Sequence, residues 1–156
     1  MDSESLDLHR KFGARYNNLA WDLVEAEART PEDDARMLEL ALASYVHWCE
    51  SGLPMNIQRA EHLVSTVHAA LGNGEAALRH ARRGQTLGVQ NGDAQTPFDR
   101  ACSALGLARA HAALGELETA RSYKQRAREA FAQIVNPQGR ATFEQLLEIG
   151  PWYGVE

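Results

Sequence analysis

The pentapeptide His-Ala-Ala-Leu-Gly occurs twice in this chain, at His68–Gly72 and at His111–Gly115. The match runs on past the glycine, pairing Glu75 with Glu118 and Ala77 with Ala120 at one offset of 43 residues. A period of that length belongs to a two-helix unit. Such a unit cannot bury its apolar face alone and must stack on a copy of itself. The repeat therefore restricts the chain to an array of helix hairpins, and it is silent about what the array binds.

Composition points the same way. The 25 alanines and 18 leucines outnumber the 16 valines, isoleucines and threonines. Straight-chain and small residues lose little rotamer freedom in a helix, whereas β-branched residues are restricted there, so the expected fold class is all-α. At 156 residues the chain has the length of one domain. Its formal charge of −5 argues against a nucleic-acid partner, whose footprint is positive. Met1-Asp2-Ser3-Glu4 has neither a basic segment nor an apolar one after it, and no apolar run approaches the roughly 20 residues a membrane span needs. No membrane partner is expected, and the expected location is cytoplasmic. Cys49 and Cys102 form no CxxC and are read as reduced, buried, small hydrophobes.

Helix signals recur along the chain. A first helix is expected from about Glu4 to Ala28, with Tyr16, Leu19, Ala20, Leu23 and Val24 at helical spacing. Thr30-Pro31-Glu32-Asp33 starts a second: threonine caps, proline fits the first turn, and the acids suit the positive end of the helix dipole. Gly52-Leu53-Pro54 stops it. The third helix carries Ile57, Ala60, Val64, Val67 and Leu71 and ends at Gly72, and the fourth runs from about Glu75 to Val89. Thr96-Pro97-Phe98-Asp99 repeats the Thr-Pro start and opens the fifth helix, which Gly115 closes. A sixth continues to Ile134, and after Asn136-Pro137 a short seventh holds Phe143, Leu146 and Leu147. The expected organisation is one domain over 1–156, with helix pairs at about 4–51, 55–91 and 96–135 and a capping helix at about 138–149. Trp21 and Trp48 are assigned to the core of the first pair. The tail aromatics of Pro151-Trp152-Tyr153 are expected to fold back as a cap, with docking on a second subunit as the alternative.

Helices three to six resemble tetratricopeptide repeats. In that family an Ala-Leu-Gly segment closes the first helix of a pair, and an alanine five residues later packs the second helix against it. Here those residues are Leu71, Gly72 and Ala77, then Leu114, Gly115 and Ala120. The resemblance covers roughly 57–134 and, more weakly, the first pair. The 43-residue spacing exceeds the family's usual 34, histidine stands where the family has an aromatic residue, and no proline closes a repeat in the usual place. The resemblance implies a short right-handed superhelix whose concave groove, lined by the first helix of each pair, binds a protein or peptide. Fold likeness alone does not fix a function.

Searches for chemistry return little. No HExxH, GxSxG, GxxxxGK[ST] or GxGxxG is present, and no His/Cys ligand cluster is visible in the sequence. His62 and His68 are six residues apart and point to different helix faces. His68 and His111 occupy equivalent repeat positions; each either fills a half-buried seam or takes a metal or acid–base role. No catalytic residue, metal or cofactor is expected. The residues singled out for partner contact are Arg59, His62, Thr66 and Arg109, on the first helices of the second and third pairs. The basic run Arg79, Arg82 and Arg83 is either a solvated face or a clamp for an acidic peptide or phosphate, anions that arginine's planar fork holds bidentately. The expected function is a non-enzymatic scaffold for a protein or peptide. The alternative is a small-ligand or metal-binding sensor using the groove, with His62, His68, Arg109 and His111 as its polar lining. Self-association into a homodimer is the third alternative.

Overall fold

In a computed structural model that describes residues 2–156, the chain is all-α. Its seven helices are α1 (Ser3–Val24), α2 (Pro31–Ser51), α3 (Pro54–Ala70), α4 (Gly74–Asn91), α5 (Pro97–Ala113), α6 (Leu117–Phe131) and α7 (Pro137–Glu148). A short 3-10 turn, Gly92–Ala94, joins α4 to α5. Helices adjacent in sequence pack as pairs, and α3 touches both α1 and α5, so the first helices of the three pairs form one layer. No helix among the described residues is long and apolar enough to cross a membrane.

The caps explain the boundaries. Thr30 and Thr96 each form a reciprocal capping box, with Asp33 and Asp99 at the third helical position and proline in the first turn. The two pentapeptides end α3 and α5 in the same way. Gly72 and Gly115 take φ of 75° and 77°, a left-handed conformation that glycine adopts without a Cβ penalty. The amides of Asn73 and Glu116 then donate to the carbonyls of His68 and His111 at 2.8 and 2.9 Å, closing a Schellman turn. Two boundaries differ from expectation. α6 ends at Phe131 rather than continuing to Ile134. α1 stops at Val24 rather than running to Ala28, because Arg29 folds back to donate to the Leu23 carbonyl and pairs with Asp34 at 2.6 Å.

The buried apolar residues lie between layers. Ala20, Met37, Leu63, Val64 and Val67 knit α1, α2 and α3 together. Ala101, Leu105, Ala127, Phe143 and Leu146 join α5, α6 and α7. The small side chains Ala69, Ala77, Ala81 and Ala110 let α3, α4 and α5 approach closely. Trp48 is half-buried over Gly13, where an added Cβ would lie 2.8 Å from the indole. Trp21 is also half-buried, yet it packs on both the α1–α3 and the α5–α7 clusters, so it belongs to more than the first pair. Cys102 is buried as expected; Cys49 is exposed, a correction that follows from its place on the outer side of α2.

The C-terminal tail folds back. Trp152 donates from Nε1 to the Leu147 carbonyl at 3.0 Å, and Tyr153 donates its hydroxyl to the Ala69 carbonyl at 2.6 Å. Val155 is buried against Ala112 and Ala120. The tail thereby covers the ends of both α3 and α5.

Candidate functional site

A cleft of about 280 Å³ opens where α1, α3, α5 and α7 converge. Trp21, Phe98, Cys102 and Leu146 supply apolar walls, and Asn17, Ser103 and Thr142 add polar edges. α3 and α5 meet closely at its floor because Gly106 lacks a side chain: a Cβ there would stand 3.1 Å from Nδ1 of His62. Helical spacing turns Phe98, Cys102 and Gly106, each one turn apart, toward the same opening.

Three groups set its electrostatics. Arg59 donates from Nε to Asp99 Oδ1 at 2.8 Å and from Nη2 to Oδ2 at 3.1 Å, a bidentate pair at the cleft edge. Burial works against the Asp99 charge. The Arg59 pair and the hydroxyl and amide of Thr96 outweigh it and hold the carboxyl below the usual range. Its hydrogen bonds to Asp99 raise the Arg59 pKa in turn. The third group is His62. Both ring nitrogens are buried without a hydrogen-bond partner. Burial first, and the charge of Arg109 second, push its pKa down to about 4, so the ring is neutral at pH 7. Its centroid lies 6.0 Å from that of Trp21.

Two of the residues expected to contact a partner are not presented to one. Thr66 is buried and its hydroxyl donates to the His62 carbonyl at 2.9 Å, satisfying the helix rather than the groove. Arg109 is buried as well. Its Nη2 donates to the Leu146 carbonyl, and its guanidinium stands 4.6 Å over the Trp152 ring, which also carries the Lys124 ammonium at 4.0 Å. Burial lowers the Arg109 pKa to about 10. The cause is the C-terminal segment: the Leu146 carbonyl of α7 and the Trp152 ring of the tail cover the Arg109 guanidinium.

The basic run does not form a clamp. Arg83 places Nε 3.1 Å from Oε1 of the buried Glu61, out of hydrogen-bond alignment, and donates from Nη2 to the Tyr45 hydroxyl at 2.6 Å. His80, from the same helix, holds the other Glu61 oxygen at 2.6 Å. Arg79 and Arg82 are exposed, with no ion pair among the described residues. Nor do the four residues proposed to line a small-ligand groove come together. His68 stacks on His80 at 5.6 Å between α3 and α4. His111 pairs with Glu116 and stacks on Tyr123 at 5.4 Å between α5 and α6. Only His62 of the four borders the cleft. Among the described residues, no cluster of three or more His, Cys, Asp or Glu side chains could hold a metal ion.

The sequence reading missed Trp21, Phe98, Asp99 and Cys102 as cleft residues. Their 3–4 spacing is that of a core stripe, and Asp99 carried a complete explanation as a capping residue. What places them around an opening is the way α1, α3, α5 and α7 come together in the fold, which no local pattern encodes. Comparison of the chain with family models, with characterised proteins and with solved structures finds no match, and what stands is the architecture itself: seven helices packed in adjacent pairs, compatible with a helical repeat.

Proposed function

We propose that this protein is a non-catalytic binding module of tetratricopeptide-like build whose ligand is a compact, largely apolar small molecule seated between α1, α3, α5 and α7. The observation that carries this reading is the cover that α7 and the tail place over α3 and α5, where Leu146 and Trp152 hold Arg109, Tyr153 bonds the Ala69 carbonyl and Val155 packs on Ala112. A peptide lying along the whole groove would have to displace them. The remaining cleft, near 280 Å³, is close to the size of small-ligand sites and has their character, apolar walls with a few convergent polar groups. Trp21 and Phe98 offer flat surfaces for stacking, and the Arg59–Asp99 pair offers both a donor and an acceptor at the rim. A non-catalytic role fits the two groups with chemical potential. His62 is neutral with no acid or base partner, and burial holds the Cys102 thiol far above its ordinary value, leaving it protonated and unreactive.

The test is a fragment screen by NMR that reads the indole Nε1–H resonance of Trp21. Binding fragments are expected to shift that resonance, and Ser103→Trp, which fills the opening, is expected to abolish the shifts. Hits that map to another surface, and persist in Ser103→Trp, would remove the cleft reading. The second reading is a scaffold for a protein partner. It is favoured by one observation, the exposed apolar residues Leu8, Phe12 and Leu19 on α1.

A further inference from the structure

The two ends of the helix stack are finished differently. At the C-terminal end, α7 and the tail cover apolar surface of α5 and α6. On the outer side of α1, Leu8, Phe12 and Leu19 are 47%, 37% and 38% exposed. Their spacing of four and seven residues makes them one stripe. Alongside it, His9 of α1 and His47 of α2 bring their Nδ1 atoms to 3.0 Å. The two ring centroids are 5.0 Å apart, and the Phe12 ring lies 5.4 Å from that of His47. Both imidazoles are partly exposed, and both sit on well-formed helices that the α1–α2 packing holds in register.

We infer that His9 and His47 form half of a site for a zinc-like divalent transition metal, and that a second copy of this chain supplies the other half. Two ligands of one tetrahedral zinc, with bonds of about 2.0–2.1 Å, stand about 3.3 Å apart. The observed pair is within a small side-chain adjustment of that separation. Imidazole nitrogen suits zinc, copper and nickel. In the metal-free pair one Nδ1–H donates to the lone pair of the other Nδ1. Binding places both lone pairs on the metal, the proton relocates to Nε2 of the ring that held it, and no electron is transferred. One chain cannot complete the coordination, since no third His, Cys, Asp or Glu joins the pair among the described residues. A twofold axis through the metal brings the same two residues from the partner copy, because an isologous contact repeats each ligand. The same contact buries the Leu8–Phe12–Leu19 stripe, which is the exposed end face a helical stack must cover.

The experiment uses the full chain, stripped of metal and titrated with zinc, with mass read by light scattering and metal content by elemental analysis. The expected result is a doubling from the 17.2 kDa monomer at one zinc per two chains, reversed by EDTA. Cobalt substitution is expected to give the visible band of a tetrahedral centre. His47→Ala and, independently, His9→Gln are expected to lose both the doubling and the band while the circular dichroism spectrum stays helical. A mass that remains monomeric with zinc, a dimer equally stable in EDTA, or one zinc held per monomer would each overturn the inference.

Discussion

The two copies of His-Ala-Ala-Leu-Gly share a backbone turn and a stacked histidine, but the helices they close differ upstream. Both end a helix with a glycine near φ 76° and the same pair of turn hydrogen bonds, from Gly72 and Asn73 in one copy and Gly115 and Glu116 in the other. The aromatic contact on the histidine repeats as well: His80 and Tyr123, which stack on His68 and His111, are themselves 43 residues apart. Elsewhere the copies diverge. Glu61 corresponds to Ala104, His62 to Leu105 and Thr66 to Arg109. These divergent positions supply the buried carboxylate, the orphaned imidazole by the cleft and the cation that holds α7. The residues that repeat build the hairpin, whereas the residues that differ build the site.

That contrast can be broken most forcefully at His62. Its folded pKa is near 4, and an unfolded histidine titrates near 6.5. Between these values the unfolded chain binds a proton that the folded chain refuses, so stability falls as pH drops from 6.5 toward 4, by up to about 3 kcal/mol from this residue. His62→Leu gives the first copy the residue of the second. Chemical denaturation across that pH range is expected to show a shallower slope in the variant, with no loss at pH 7, where two unpartnered nitrogens are removed from the interior. An unchanged slope would show that the ring is hydrated in the folded state.

A smaller effect sharpens the likeness between the copies. Gly72→Ala and Gly115→Ala each force a Cβ into the left-handed region, at a cost of about 1–2 kcal/mol. Both positions are sterically open, the nearest atom to a Cβ at Gly72 being the Tyr153 hydroxyl at 3.8 Å. Equal losses in denaturant midpoint are therefore expected, and a marked inequality would mean that the tail strains one turn. The smallest effect separates the histidines. His111→Ala removes a part-buried hydrogen bond and a stacked ring, a loss of about 1 kcal/mol by thermal unfolding. His68→Ala removes a half-buried ring whose Nδ1 has no partner, and it is expected to cost less. The reverse order would place the stronger seam in the first repeat.

Much of the fold was legible because its signals are local. Thr-Pro starts with an acid three residues after the threonine mark α2 and α5, left-handed glycines mark helix ends from α2 to α5, and apolar spacing with the Asn136-Pro137 break locates the rest, all within a turn or two of chain. The end of α1 was not legible, because Arg29 reaches back six residues to a carbonyl whose position depends on the turn itself. Of the candidate contacts, Arg59 and His62 border the cleft, whereas Thr66 and Arg109 are buried and the three arginines of α4 do not converge. Helix phase, read from sequence, says which residues share a face. It does not say what lies opposite that face.

The Ala-Leu composition, the 43-residue repeat and the capping residues determined an all-α chain of paired helices, since each acts through nearest neighbours along the backbone. Only the tertiary structure decided that α7 and the tail would cover Arg109 and the ends of α3 and α5. It also set the Arg59–Asp99 bond across 40 residues and left the imidazole of His62 without a partner. Those outcomes depend on distances between helices far apart in sequence, and such distances come from the packing of whole layers rather than from any pattern within one helix.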